Sequence, residues 1–157
     1  MSFDVFFQRF QQGDVAPADR EAARRIIETI PRTCPFTEEP DSYRLAFPDG
    51  GEADLSSGLA SEDFTGCSLT IRTGISPNLV AFIYELAVTC DFVVMMTAEN
   101  PVILLNEAQR VEVPADGAMF EEAIICASFE EFEPEFLERY GGWRDYRDYV
   151  ITAHTPE

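Results

Sequence analysis

Apolar residues recur with two different periods along the chain, and the switches between them divide it into elements. Phe3, Val5 and Phe7 are interleaved with Asp4, Phe6 and Gln8, the two-residue period of a strand buried on one face. After a turn over Gln11 to Val15 the period lengthens. Ala22, Ala23, Ile26, Ile27 and Ile30 form one stripe of a helix predicted from Pro17 to Ile30. Pro17 suits its first position, Asp19 and Glu21 suit the positive end of its dipole, and Pro31 stops it. The opposite face sets Glu21 against Arg25 and Arg24 against Glu28 at i,i+4 spacing, pairs worth roughly a few tenths of a kcal/mol each.

A proline-containing loop from Arg32 to Ser42 leads into a second alternating stretch. Tyr43, Leu45 and Phe47, the turn residues Pro48-Asp49-Gly50-Gly51, and then Ala53 and Leu55 predict a β-hairpin. Ser56 to Gly66 is polar and reads as loop, and Leu69 and Ile71 mark the next strand. Ser76 is placed to cap a helix whose first residue is Pro77 and which runs to about Thr89. Leu79, Val80, Phe82, Ile83, Leu86 and Ala87 make that helix nearly all buried, with Glu85 on the narrow solvent side. Phe92 to Met96 is an unbroken apolar run, as in a central strand covered on both faces. Val102 to Leu105 is its expected neighbour after the Asn100-Pro101 turn.

The segment from Ser68 to Thr97 is compatible with a parallel crossover as well as with an antiparallel arrangement. Val111 and Val113 precede a turn at Ala115-Asp116-Gly117, and Ile124-Ile125 suggest a last strand. Ser128-Phe129-Glu130-Glu131 has the spacing of a capping box, which starts a helical turn at Phe129. Pro134 predicts a break and a second short helix ending before Gly141-Gly142, with a final helical piece over Trp143 to Ile151. Together these elements predict an α+β fold: a mixed, mainly antiparallel β-sheet, two main helices packed on it and short C-terminal helices. Residues 1–157 are expected to form a single acidic domain.

Composition makes folding feasible: 46% of the 157 residues are hydrophobic, including 13 Phe, enough to bury a core. No segment approaches the ~20 apolar residues of a membrane-spanning helix, because Glu85, Asp91 and Glu99 interrupt the most apolar region. Asp4 follows Met1 without a basic-then-apolar leader, so a cytoplasmic location is expected. Charge changes the picture more. Against 29 acids stand 11 bases, every one an arginine, for a net charge of −18. Such a field repels nucleic acid and anionic membranes and speeds encounter with cationic partners. Simple solubility is the plainer explanation of the same number.

Candidate chemistry is sparse. The sequence contains no P-loop, dinucleotide-binding glycine pattern, G-x-S-x-G or H-E-x-x-H, and its single histidine is His154. Cys34, Cys67, Cys90 and Cys126 form no C-x-x-C pair, and Cys90 and Cys126 lie in apolar segments as small hydrophobes. No catalytic residue, metal ligand or cofactor is therefore assigned, although paired carboxylates from distant segments remain open to an enzyme. The C-terminal part is more distinctive. From Val111 onward, 12 acids face 3 arginines, a net charge of −9. Glu130, Glu131, Glu133, Glu135 and Glu138 alternate there with Phe129, Phe132, Phe136 and Leu137, followed by Trp143, Asp145, Tyr146 and Asp148. Apolar members docking on the core would leave the carboxylates facing a basic partner, which is also the appearance of any solvated amphipathic helix. Glu130, Glu131, Glu133, Glu135, Glu138, Trp143, Asp145, Tyr146 and Asp148 are taken as the candidate partner-binding residues.

The opening Ser2-Phe3-Asp4-Val5-Phe6, with Phe10 and the Pro48-Asp49-Gly50-Gly51 turn, resembles small uncharacterised bacterial proteins that begin in the same way. That resemblance implies a stand-alone bacterial protein and brings no activity with it. By class, size and acidity, the chain resembles an immunity protein: an inhibitor of a toxin that acts on nucleic acid or nucleotides and so carries a basic cleft. The expected partner is such a basic protein, without direct nucleic-acid or membrane binding, and the oligomeric state is open. A nucleic-acid mimic blocking a defence enzyme is the nearest alternative, and a small carboxylate-dependent enzyme the more distant one.

Overall fold

The computed structural model describes residues 2–29, 32–35 and 42–154; within them, the side chains of residues 32–35, 73, 146, 147 and 149–154 are outside the description. Strand β1 (Phe3–Gln8) buries alternate residues as its two-residue period requires. The chain then makes a small ribbon, β2 (Phe10–Gln11) with β3 (Asp14–Val15), and enters α1 (Arg20–Thr29). This helix begins later than Pro17. Asp19 serves as its cap, its Oδ1 accepting the Ala22 N–H at 3.1 Å, a position that a short carboxylate favours over the first turn. The predicted Ile30-Pro31 stop lies outside the described residues. Within the stretch read as the Arg32 to Ser42 loop, Arg32–Pro35 forms strand β4 instead, since its backbone pairs with the next strand; residues 36–41 lie outside the description.

The predicted hairpin is β5 (Ser42–Ala46) with β6 (Glu52–Ser56), turned by Gly50 at φ +98°, a conformation that a side chain would strain. Then come β7 (Gly66–Gly74), α2 (Pro77–Cys90), β8 (Val93–Met96) and β9 (Val102–Leu104). Ser76 caps α2 by accepting the Leu79 N–H at 3.2 Å. Helices α3 (Glu107–Arg110) and α4 (Ala118–Glu121) are single turns before β10 (Ile124–Ile125) and the long α5 (Phe129–His154).

Eight strands form one sheet in the order β10-β9-β8-β1-β7-β6-β5-β4, antiparallel throughout except for the β9–β10 pair. The fold is therefore α+β with a mixed, mainly antiparallel sheet. Strand β1 pairs with both β7 and β8, so these two run parallel without touching, and α2 crosses over the strand between them. Phe3, Val5 and Phe7 share a face with Leu69, Ile71, Val94 and Met96, and there α1, α2 and α5 close the main core. On the reverse face, a second cluster covers the β8–β9–β10 end. Val93, Val102 and Leu104 pack there with Val113 and Ala123, while Phe10 meets Phe120 edge to face at 5.5 Å.

Buried Gln109 fastens this cover: its Oε1 accepts the Leu105 N–H at 2.7 Å, and its Nε2 donates to Asp91 and to the Phe92 carbonyl, each at 3.1 Å. Asp91 ends α2 in the left-handed region at φ +57°, held on one side by Gln109 and on the other by Arg9 at 3.6 Å.

The C-terminal helices expected to be short are one helix of 26 residues that passes through Pro134 and both glycines. Ser128 accepts the Glu131 N–H, and the Glu131 carboxylate accepts the Ala127 N–H, each at 3.2 Å, so the start is capped from both sides. Continuity is enforced by packing. Phe132, Phe136, Tyr140 and Trp143 follow the helical period into the core, and the Phe3 ring lies 5.8, 5.4 and 5.7 Å from those of Phe136, Tyr140 and Trp143. Burying four such side chains, at about 1.5–3 kcal/mol each, exceeds the ~3 kcal/mol of an interior proline plus ~1 kcal/mol for each glycine.

Candidate functional site

Helix α5 turns its aromatic stripe inward, and the same period carries its acids outward. Glu131, Glu138 and Asp145, seven residues apart, lie along one line of the exposed side, with a rise of about 10 Å between successive members. Glu130 and Asp148 are exposed on one flank of that line. Glu133 and Glu135 are half-buried on its two sides. Of these, Glu135 is neutralised by Arg139 at 2.8 Å, and Arg144 approaches Asp145 at 3.9 Å.

Beside this ridge a groove of about 700 Å³ opens between α5 and the β8–β9 turn. The turn contributes Thr97, Ala98, Glu99 and Asn100, and the helix contributes Glu138, Arg139, Gly142 and Trp143. Arg139 joins the two walls. Its Nε donates to the Asn100 carbonyl at 2.6 Å and its Nη1 to the Glu135 carbonyl and carboxylate at 3.0 and 2.8 Å, with only 9% of the side chain exposed. The side chains of Glu99 and Glu138 make no hydrogen bond or ion pair with a described residue. Satisfying the arginine internally leaves the rim carboxylates to set the sign of the groove.

The wider charge distribution is uneven. From Glu107 to Glu138 there are ten acids and one arginine, Arg110, whose guanidinium is occupied by the Ala123 carbonyl at 3.1 Å. Glu112, Glu131 and Glu135 have partners, in the Gln12 and Ala127 N–H groups and in Arg139. Glu107, Asp116, Glu121, Glu122, Glu130, Glu133 and Glu138 make no side-chain hydrogen bond or ion pair with a described residue. Exposed Val111, Met119 and Leu137 lie among them.

Among the described residues, no group of three carboxylates, thiols or imidazoles is arranged to hold a metal ion. The three described thiols are poorly placed to ionise. Burial pushes Cys67 up strongly, and pushes Cys90 and Cys126 each up to about 11, the latter also through the charges of Glu135 and Glu131. Such thiols stay protonated at neutral pH. The Cys34 side chain lies outside the described residues.

The structure thus brings Glu138 and Trp143 to one groove and sets Glu130, Glu131, Glu133, Asp145 and Asp148 along the ridge beside it. Trp143 is a buried wall with 6% exposure, not a projecting anchor, and the Tyr146 side chain lies outside the described residues. Sequence reasoning missed Glu99 and Asn100, because a turn after a buried strand carries no sign of what it faces. The Glu135–Arg139 pair was legible in its i,i+4 spacing. No helix among the described residues is long and apolar enough to cross a membrane. No protein-family model matches the sequence, and no curated protein or solved structure matches the chain.

Proposed function

We propose that this protein binds and neutralises a basic protein, in the manner of an immunity protein guarding its cell against a toxin that acts on nucleic acid or nucleotides. The observation that carries the reading is the set of seven carboxylates between Glu107 and Glu138 that no described residue engages. Unpaired surface charge of one sign accelerates association with an oppositely charged cleft and selects against anionic partners. The ridge supplies that field, and the groove supplies relief into which a partner side chain can lock. Spacing along α5 supports an inhibitor over a nucleic-acid mimic. The acids of α5 are unevenly spaced, at 130, 131, 133, 135, 138, 145 and 148, unlike the regular ~3.4 Å per phosphate along a duplex strand, and exposed Leu137, Met119 and Val111 suit a protein interface with apolar anchors.

The test is affinity capture from a lysate of the source cell, with a variant carrying Glu121→Gln, Glu122→Gln, Glu130→Gln, Glu133→Gln and Glu138→Gln as comparison. The wild type should retain a basic protein at low salt, release it as salt is raised, and inhibit its activity on nucleic acid or nucleotides after purification. The variant should retain much less. Capture of no basic protein, or capture insensitive both to salt and to the five neutralisations, would remove the proposal. A second reading has one observation in its favour: the groove is concave and is lined by carboxylates from two elements, Glu99 and Glu138, as a small carboxylate-dependent enzyme could use. Turnover of a small substrate that is lost in both Glu99→Gln and Glu138→Gln would favour it over the binding protein.

A further inference from the structure

The cover on the reverse face, made of α3, α4 and the loop between them, has an outer side as well as the inner one that packs on β8, β9 and β10. We infer that the basic partner docks on this outer side, through a segment that carries cationic and aliphatic side chains together. This rests on the binding reading above and says where contact is made and by what chemistry.

Apolar exposure is concentrated here. Six large apolar side chains are exposed among the described residues, and three of them, Val111 at 77%, Val15 at 55% and Met119 at 40%, belong to the cover and to the β2–β3 ribbon joined to it. Scattered singly, such residues would call for no account. Contacts draw these three onto one unit. The Glu112 carbonyl and carboxylate accept the N–H groups of Gly13 and Gln12 at 2.9 and 2.7 Å, which seats the ribbon turn on the residue next to Val111. Val15 stands opposite Phe10 in the ribbon, and the Phe10 ring meets that of Phe120, the neighbour of Met119. Gly117 makes room for the inward Phe120 ring, since a Cβ there would lie 2.7 Å from it, while Met119 on the same single turn is left to solvent.

Charge identifies the occupant. Residues 10–15 and 107–122 together hold six acids and one arginine. Glu112 is spent on the ribbon and Arg110 on the Ala123 carbonyl. Asp14, Glu107, Asp116, Glu121 and Glu122 are exposed, and their side chains make no hydrogen bond or ion pair with a described residue. An apolar surface set among anions disfavours an acidic protein, an anionic membrane and a second copy of this chain with its charge of −18. It favours a protein segment whose aliphatic groups leave water against Val15, Val111 and Met119 while its cations meet the surrounding carboxylates. Because Glu112 and Phe10 tie the ribbon to the cover, the surface is held in place before a partner arrives, and docking need not order it.

The probes are two short peptides of equal positive charge, titrated into the full-length protein by calorimetry. One is built of lysines and leucines with its leucines on one helical face, and the other has every leucine replaced by serine. The leucine peptide should bind about tenfold more tightly, and should keep a measurable affinity in salt that abolishes binding of the serine peptide. Val111→Thr with Met119→Gln, nearly isosteric changes that leave net charge alone, should weaken the leucine peptide about tenfold and leave the serine peptide unchanged. Val88→Thr, at an exposed valine of α2, should alter neither by more than about twofold. Equal thermal midpoints check that the variants fold. Backbone amide shifts of the unsubstituted protein need no variant: on adding the leucine peptide they should be largest over residues 12–15, 107–112 and 117–121.

Equal affinity for the two peptides would mean diffuse attraction by net charge and would overturn the docking surface while leaving the binding reading intact. Equal losses in the cover variant and in Val88→Thr, or amide shifts centred on α5, would each overturn it as well. If a basic partner is captured by the wild type, and with unchanged affinity by the Val111→Thr, Met119→Gln protein, this inference alone fails. Capture of no basic protein by the wild type would instead remove the binding reading itself.

Discussion

The open face of the sheet and the stretch from Glu107 to Glu138 are both rich in carboxylates, and they use them in opposite ways. On the open face and its β5–β6 turn, each carboxylate has a task. Asp4 accepts from the Ser2 and Thr70 hydroxyls at 3.2 and 3.1 Å, Glu52 faces Arg44 at 3.8 Å, Asp54 binds Arg72, and Asp49 accepts the Asn78 N–H at the start of α2 at 2.9 Å. Cross-strand register creates most of these pairs, since Asp4 stands opposite Thr70 while Glu52 and Asp54 lie diagonally from Arg44 and Arg72. In the later stretch, seven of ten carboxylates have no such task. A net charge of −18 is therefore not spread evenly: it accumulates where the arginines have been spent on carbonyls and capping contacts have used only a few acids. The contrast separates carboxylates that hold the fold together from carboxylates available to something outside it.

The largest expected effect concerns the anchor of the acidic region. Phe136→Ala removes a fully buried ring from the stripe that holds α5 against Phe3, and should cost about 3–5 kcal/mol in urea unfolding. A loss below about 1 kcal/mol would mean that the ridge is not carried by its aromatic face.

The next variant sharpens the idea of a structural carboxylate. Asp49 is held below its ordinary pKa of 3.8 chiefly by the Ser76 side chain, with help from the Asn78 and Gly51 backbone and against some desolvation. A depressed folded-state value means that the ionised carboxylate stabilises the protein above about 3.8 and loses that contribution as pH falls through the folded value. Asp49→Asn should therefore lower the thermal midpoint at neutral pH, and the gap to wild type should close on acidification below 3.8. A gap that persists unchanged into strong acid would break the assignment.

The smallest effect is the most direct comparison of the two regions. Asp54→Asn and Glu138→Gln make the same chemical change. At low salt the first should lower stability by up to ~1 kcal/mol by stranding Arg72, and the second should raise it by a few tenths by relieving repulsion among unpaired acids. Both differences should shrink as salt is added. Shifts of the same sign would erase the distinction drawn between the regions.

Much of the local structure could be read from residue types, because its causes are local. Alternation marked β1 and β7, Pro48 to Gly51 marked the hairpin, Ser76-Pro77 marked the start of α2, and Ser128 with Glu131 marked the start of α5. The acidic outer side of α5 was legible for the same reason, as the complement of its aromatic period. The continuity of α5 was not. Pro134, Gly141 and Gly142 argue locally for breaks, and packing against distant residues, Phe3 and Tyr84 among them, supplies the energy that overrides them. Nor does any local period indicate that β1 lies between β7 and β8, since strand partners are chosen by surfaces far apart in the chain.

The groove follows the same rule. Glu99 and Glu138 are far apart in the chain and line one groove because β8 and β9 return the chain beside α5. From sequence alone came the elements, the core face of each and the surplus of negative charge. The partners of each strand, the survival of one long helix and the placing of Glu99 and Glu138 on one groove were decided by tertiary packing, because burial energy acts between residues that adjacency along the chain does not relate.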